Sequence, residues 1–181
     1  MANRSNLVAH YSSRALPPND PSALQLLTAN YQIPVLWLSL FSAQDLTSCT
    51  ADAMNGEGAV SAVVVPTLHA QRSTAVERSQ SRESLLRIAL PPRVHAHVSE
   101  WYALLPSIRE PYLQLDAFEI WCMDAPEVFT ASLSGYLRAM DDSHDPAWHD
   151  LLEQACIGDA AVERWGVRGY AWAIQAPWGS E

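Results

Sequence analysis

There is no lysine in this chain: all 11 basic residues are arginine, set against 20 acidic ones for a net charge of −9. The pattern reads as the mark of a GC-rich genome, whose codons favour Arg and Ala, and not as a functional device. The shortage of positive charge argues against nucleic acid as a direct partner, because neutralising phosphates demands a basic face. It admits a basic protein partner, such as a toxin or an effector, which a negative surface steers in. The alternative is that acidity serves solubility alone. Cysteine is scarce too. Cys49, Cys122 and Cys156 are odd in number, widely spaced and without a CxxC pair, so they read as buried, reduced thiols of a cytosolic protein. Long apolar runs are missing: the longest, Ile33 to Phe41, falls far short of the ~20 residues that cross a bilayer. No apolar signal core follows Met1-Ala2-Asn3-Arg4-Ser5, so a secretory leader is not expected and the cytoplasm is the expected location.

The familiar catalytic spacings are also missing. There is no HExxH, EF-hand loop, Walker A sequence or GxGxxG. Ser132-Leu133-Ser134-Gly135 lacks the first glycine of a nucleophile elbow. Met54-Asn55-Gly56-Glu57-Gly58 precedes an apolar run and opens no helix, so it reads as a turn and not a phosphate cradle. No catalytic residue, cofactor or metal site is expected on these grounds.

What is present is enough for one domain. The 181 residues are 49% hydrophobic, and a chain of this size buries roughly 70% of its unfolded surface. It needs neither disulfide nor metal to hold a core, and no internal repeat is visible. Ser5 to Tyr11 reads as a first strand, and the prolines of Leu16 to Pro21 mark a loop. Ile33 to Phe41 is too apolar for an alternating strand, and Pro34 suits the first turn of a buried helix. The β-branched run in Val60 to Pro66 predicts a buried strand. Gln71 to Ser84 is polar, either a loop or the start of a helix. Ser84 to Leu90 reads as helix up to Pro91, and Val94, Val98, Trp101, Tyr102 and Leu105 share a helical face. Tyr112 to Asp116 alternates as a strand, with a continuation through Ile120 and Cys122.

The clearest helix opens on Asp124, Pro126 and Glu127 and lines up Phe129, Leu133, Tyr136, Leu137 and Met140. Asp145-Pro146 starts another, with Trp148, Leu151 and Leu152 inward. Gly166 to Ile174 reads as a last strand. Strands at both ends with helices between predict a single α/β (α+β) domain: a mixed sheet covered by several helices, over residues 1–181.

One segment concentrates ionisable groups: Asp141, Asp142, His144, Asp145, His149 and Asp150. Its spacing matches no metal motif. Asp145 has a capping role ahead of Pro146. Asp141 and Asp142 fall at a helix C-terminus, where negative charge is mildly unfavourable. A partner surface here is set against a plain solvated turn. Trp165 and Trp178, near the C-terminus, read either as exposed partner-binding aromatics or as part of a tail folded back on the body. His95 and His97 sit in a helical pattern and should diverge.

The opening Met1-Ala2-Asn3-Arg4-Ser5, with Ile33-Pro34-Val35-Leu36-Trp37-Leu38 about thirty residues on, resembles a poorly characterised family of small bacterial proteins with the same first five residues. Asn6-Leu7-Val8 stands where that family has Tyr-Leu-Tyr. The resemblance covers about the first quarter of the chain. Arg4, in that stretch, is expected to be structural, tying down the N-terminus through its guanidinium. The small, acidic, cytoplasmic character is similar to that of immunity proteins, so the expected function is a non-enzymatic inhibitor that occludes a toxin's active site. The alternatives are a small acidic secretion chaperone for an effector, and a hydrolase whose site is assembled from distant residues.

Overall fold

The computed structural model describes residues 3–54, 58–123, 125–155 and 167–171. Strand β1 (Arg4–His10) alternates: Leu7 and Ala9 belong to the core, while Asn6, Val8 and His10 face the other way. Strand β2 (Leu24–Asn30) runs antiparallel to it, with Arg4 opposite Asn30 and an irregularity between Leu7 and Val8. The run Ile33 to Phe41 does form a buried turn of helix, α1 (Val35–Leu38), with Pro34 just ahead of it at the N-cap position. A two-stranded hairpin follows, β3 (Leu46–Met54) with β4 (Val60–Gln71).

The polar stretch after β4 is helical: α2 (Arg72–Ser81) leads to α3 (Glu83–Ala89) and α4 (His95–Leu104). Strand β5 (Tyr112–Asp116), a short helix α5 (Phe118–Trp121) and the helices α6 (Pro126–Ala139) and α7 (Pro146–Ala155) complete the body. Strand β6 (Tyr170–Ala171) adds to β2.

The class is the expected α+β, one sheet covered by helices, in the order β3-β4-β5-β1-β2-β6. The sheet is not mixed: every pairing among the described residues is antiparallel. The reason lies in the excursion through α2, α3 and α4. It returns to the end it left from, with Tyr112 opposite Gln71 and the Arg72 N–H donating to Pro111 O at 2.8 Å, so β5 must run back along β4.

Two further expectations are corrected. β5 does not continue through Ile120 and Cys122: an oxygen of Asp116 accepts the Phe118 N–H at 3.2 Å and turns the chain into α5. The valine run is a strand, but only Val65 of it is buried. β4 pairs with β5 only from Leu68 to Gln71; residues 60–67 pair with β3 alone, and Val60 and Val64 are exposed on a two-stranded arm. Asp124, Cys156, Trp165, Trp172 and Trp178 lie outside the described residues, as does most of the strand expected from Gly166 to Ile174.

The core sits between the helices and one face of the sheet, where Leu7, Ala9, Leu27, Leu68, Leu113 and Leu115 meet Trp37, Phe41, Trp101 and Leu137. A fully buried turn of helix leaves carbonyls that water cannot reach, and each must find a donor. Here two arginines one turn apart supply them. Arg78 donates to Leu40 O at 2.8 Å, and Arg82 to Ser39 O at 2.8 Å and Phe41 O at 2.7 Å. Ser79, between them, bonds Ser39 at 2.7 Å and receives the Trp101 indole N–H at 3.1 Å.

Candidate functional site

The acidic segment folds as the turn between α6 and α7. Asp145 caps α7: its Oδ1 accepts the Ala147 N–H at 2.9 Å, and Arg138 Nε lies 3.5 Å from its Oδ2. Asp142 Oδ1 accepts the His144 N–H at 2.9 Å and closes the turn. Asp142, His144, His149 and Asp150 are all exposed. Asp141 has a role that its place at a helix C-terminus does not reveal: its carboxylate is the counter-ion of the buried Arg82 guanidinium. It belongs first to the α1 clamp and only its exposed side to the surface. Arg4 is exposed, and the tie shown for it runs through the main chain, from its N–H to Glu119 Oε2 at 2.8 Å. His95 and His97 diverge as expected, toward Leu90 O at 3.0 Å and Glu100 at 3.8 Å. Among the described residues, no three His, Cys, Asp or Glu side chains are grouped to hold a metal ion.

A second site, which the sequence reading missed, lies on the sheet face away from the helices. Strand alternation puts Asn6, Val8 and His10 of β1 beside Asp116, Gln114 and Tyr112 of β5. Most of these are buried, because the proline-rich segment 11–23 crosses over them as a strap. Gln114 holds the strap like a short piece of strand: its Oε1 accepts the Leu16 N–H at 2.8 Å and its Nε2 donates to Leu16 O at 2.9 Å. Asp116 Oδ2 accepts the Asn19 N–H at 3.1 Å, with Asn19 in the left-handed region at φ 58°. Burial pushes the Asp116 carboxyl above its ordinary range, and its two N–H donors pull only partly against that. Beneath the strap is a cavity of about 230 Å³ lined by Asn6, Asn19, Asp20, Gln25, Gln114 and Asp116.

Beside it three rings stack. His69 lies 5.2 Å from both His10 and Tyr112, centroid to centroid, with planes within 20°. Both ring nitrogens of His10 and Nε2 of His69 are buried and reach no partner with good hydrogen-bond geometry, although Gln114 and the Ser12 backbone lie near enough to His10, and the Ser12 backbone to His69, to work partly against the burial. Burial lowers both imidazoles below their ordinary pKa, and for His10 the charge of His69 pushes the same way. The folded state therefore refuses protons that the unfolded chain accepts below about pH 6.5. Stability should hold above pH 7 and fall as the pH drops from about 6.5 toward 5, by roughly 1.4 kcal/mol for each unit of depression. Asp116, being raised, works in the opposite sense at lower pH. His10→Phe keeps a stacking ring without a titrating group, so urea midpoints at pH 7.5 and 5.5 should differ less in this variant than in the wild type; an unchanged difference would remove the histidine pair as the cause.

The cysteines do not behave as a buried set. Cys49 is half-buried, and burial together with the Asp116 charge pushes its thiol up to about 11; Cys122 is exposed. A thiol so raised is a poor nucleophile.

Nothing in the sequence marks the strap site, because its members are drawn from β1, the strap, β2 and β5, with more than ninety residues between Leu16 and Gln114. The one available signal is Tyr112, Gln114 and Asp116, the polar half of an alternating strand. Compared with protein-family models, curated proteins and solved structures, the chain matches none.

Proposed function

We propose that this chain is a non-enzymatic binding protein of the immunity type, which neutralises a cognate bacterial toxin in the cytoplasm by occluding its active site. The observation that carries the reading is the exposure of Asp142, His144, His149 and Asp150 around one interhelical turn in a chain of net charge −9. Such a surface attracts a basic cleft, speeds encounter and fixes orientation. No helix among the described residues is long and apolar enough to cross a membrane.

The test leaves Asp141 alone, because reversing it would set two guanidinium groups against each other at Arg82. Asp142→Arg combined with Asp150→Arg should slow association with the toxin by about tenfold at low salt and flatten its salt dependence, with only a small fall in melting temperature from the lost bond to the His144 N–H. Stopped-flow association at two salt concentrations measures both. Equal rates and equal slopes would leave the segment an ordinary solvated turn.

The secretion-chaperone reading is favoured by a different feature. The arm of β3 and β4 ends the sheet, and β3 has no strand on its outer side among the described residues. An open edge of this kind accepts an extended effector segment by strand addition. Protection of the β3 amides from hydrogen exchange by an effector peptide would support that reading.

A further inference from the structure

The cavity beneath the strap is built around acceptors. Asp116 is 7% exposed and Asn6 8% exposed. The Asp116 carboxylate takes one N–H on each oxygen, and no ion pair reaches it or Asp20 among the described residues. Asp20 Oδ1 takes the Ser22 N–H at 2.8 Å and the Ser22 hydroxyl at 2.6 Å, which leaves Oδ2. Gln25 donates to Asn6 Oδ1, which leaves Gln25 Oε1 as an acceptor and the Asn6 amide nitrogen as a donor without a protein partner. The side-chain amide of Gln114 is engaged by Leu16 at both its oxygen and its nitrogen, with one N–H left over. Open to an occupant are thus two carboxylates and the Gln25 amide oxygen, beside uncharged amide N–H groups of Asn6, Gln25 and Gln114.

A buried carboxylate without a cation is costly, and two carboxylates with no cation between them call for a guest that brings donors and positive charge. The walls next to these groups are apolar, with Val8 and Pro21 among them. At about 30 Å³ for each water-sized group, 230 Å³ has room for roughly seven or eight such groups. That is the size of a donor head on a short hydrocarbon stem. A bare divalent cation fits less well, since calcium takes six to eight oxygens and the cavity offers fewer.

We propose that the cavity under the strap is a binding site for an alkylguanidinium or alkylammonium group, held by Asp116, Asp20 and Gln25, with its stem against Val8 and Pro21. The group could arrive as a free small molecule or as an arginine or lysine side chain of a bound polypeptide. The site does not depend on the immunity reading, because the chain alone carries every group named.

The experiment titrates the full-length chain with butylguanidinium chloride and, separately, with the capped pentapeptide Gly-Gly-Arg-Gly-Gly, following side-chain amide signals by NMR against a sodium chloride control of equal ionic strength. Saturable shifts at Asn6 and Gln25 are expected for butylguanidinium. Asp116→Asn should weaken binding by at least about tenfold, the usual loss when a charged hydrogen-bond acceptor is neutralised. Gln25→Leu, which leaves the strap's own bonds intact, should weaken it as well and serves if Asp116→Asn unfolds. Saturation by butylguanidinium alone assigns the site to a free small molecule; saturation by the peptide too assigns it to a basic side chain. No saturation by either probe, or saturation unaltered in both variants, overturns the proposal.

Discussion

Arg82→Met should lower the unfolding free energy by about 3 kcal/mol, measured by urea denaturation at neutral pH. The guanidinium is 6% exposed and donates to Ser39 O and Phe41 O, the carbonyls at the end of a buried turn of helix. Methionine fills comparable space but donates nothing, so both carbonyls are left dry, at about 1–3 kcal/mol each before relaxation. Some of that is returned, because a buried cation no longer has to be desolvated. Asp141, the third partner, has a side chain 59% exposed, so it regains water when released. Asp141→Asn should cost less, about 1–2 kcal/mol, because the amide oxygen still accepts from the buried guanidinium although the opposing charge is gone. If the two variants lose equal stability, the ion pair and not the carbonyl clamp is what Arg82 supplies.

Gly169→Ala should be at least as damaging, at about 3–5 kcal/mol. Gly169 has φ +75°, where a side chain is strained by roughly 1–3 kcal/mol. A Cβ built there would lie 2.6 Å from Trp37 Cζ2 and 2.8 Å from Thr28 O. Neither neighbour can yield. Trp37 is fully buried and its indole N–H is committed to Arg168 O at 2.7 Å, while Thr28 is held in β2. Overpacking adds about 1–3 kcal/mol to the strain. Tryptophan fluorescence through a urea titration reads the loss, and a midpoint within error of the wild type would show that β6 can leave β2 without disturbing Trp37.

The parts of this fold that the sequence disclosed are those with a local cause. Pro34 ahead of an unbroken apolar run predicts a buried helix, and Pro126 with the spacing of Phe129, Leu133 and Leu137 predicts α6; the structure has both. The alternation in Tyr112 to Asp116 predicts β5. The features that escaped depend on distant partners. Asp141 looked unexplained because Arg82, its counter-ion, is 59 residues away. Val60 and Val64 of β4 looked buried because β-branching reports strand geometry, whereas burial depends on where β5 stops. His10 and His69 meet only because β1 and β4 flank β5, an order that no short-range pattern records. The strap cavity is the same case at larger scale. Asn6 and Asp116 lie opposite each other in register, more than a hundred residues apart along the chain.

That register has a consequence for how the protein is made. Two hairpins emerge first from the ribosome, β1 with β2 and then β3 with β4, and each can close locally. The strand that joins them, β5, ends at Asp116, 45 residues after β4 ends at Gln71. At a synthesis rate of about 5–20 residues per second, the gap lasts on the order of two to nine seconds. During that time β1 and β4 both present vacant inner edges of the kind that invites wrong pairing. Closing long loops is also slow, so the late strand starts at a disadvantage. A direct pairing of β1 with β4 at that stage would shut the gap that β5 has to fill.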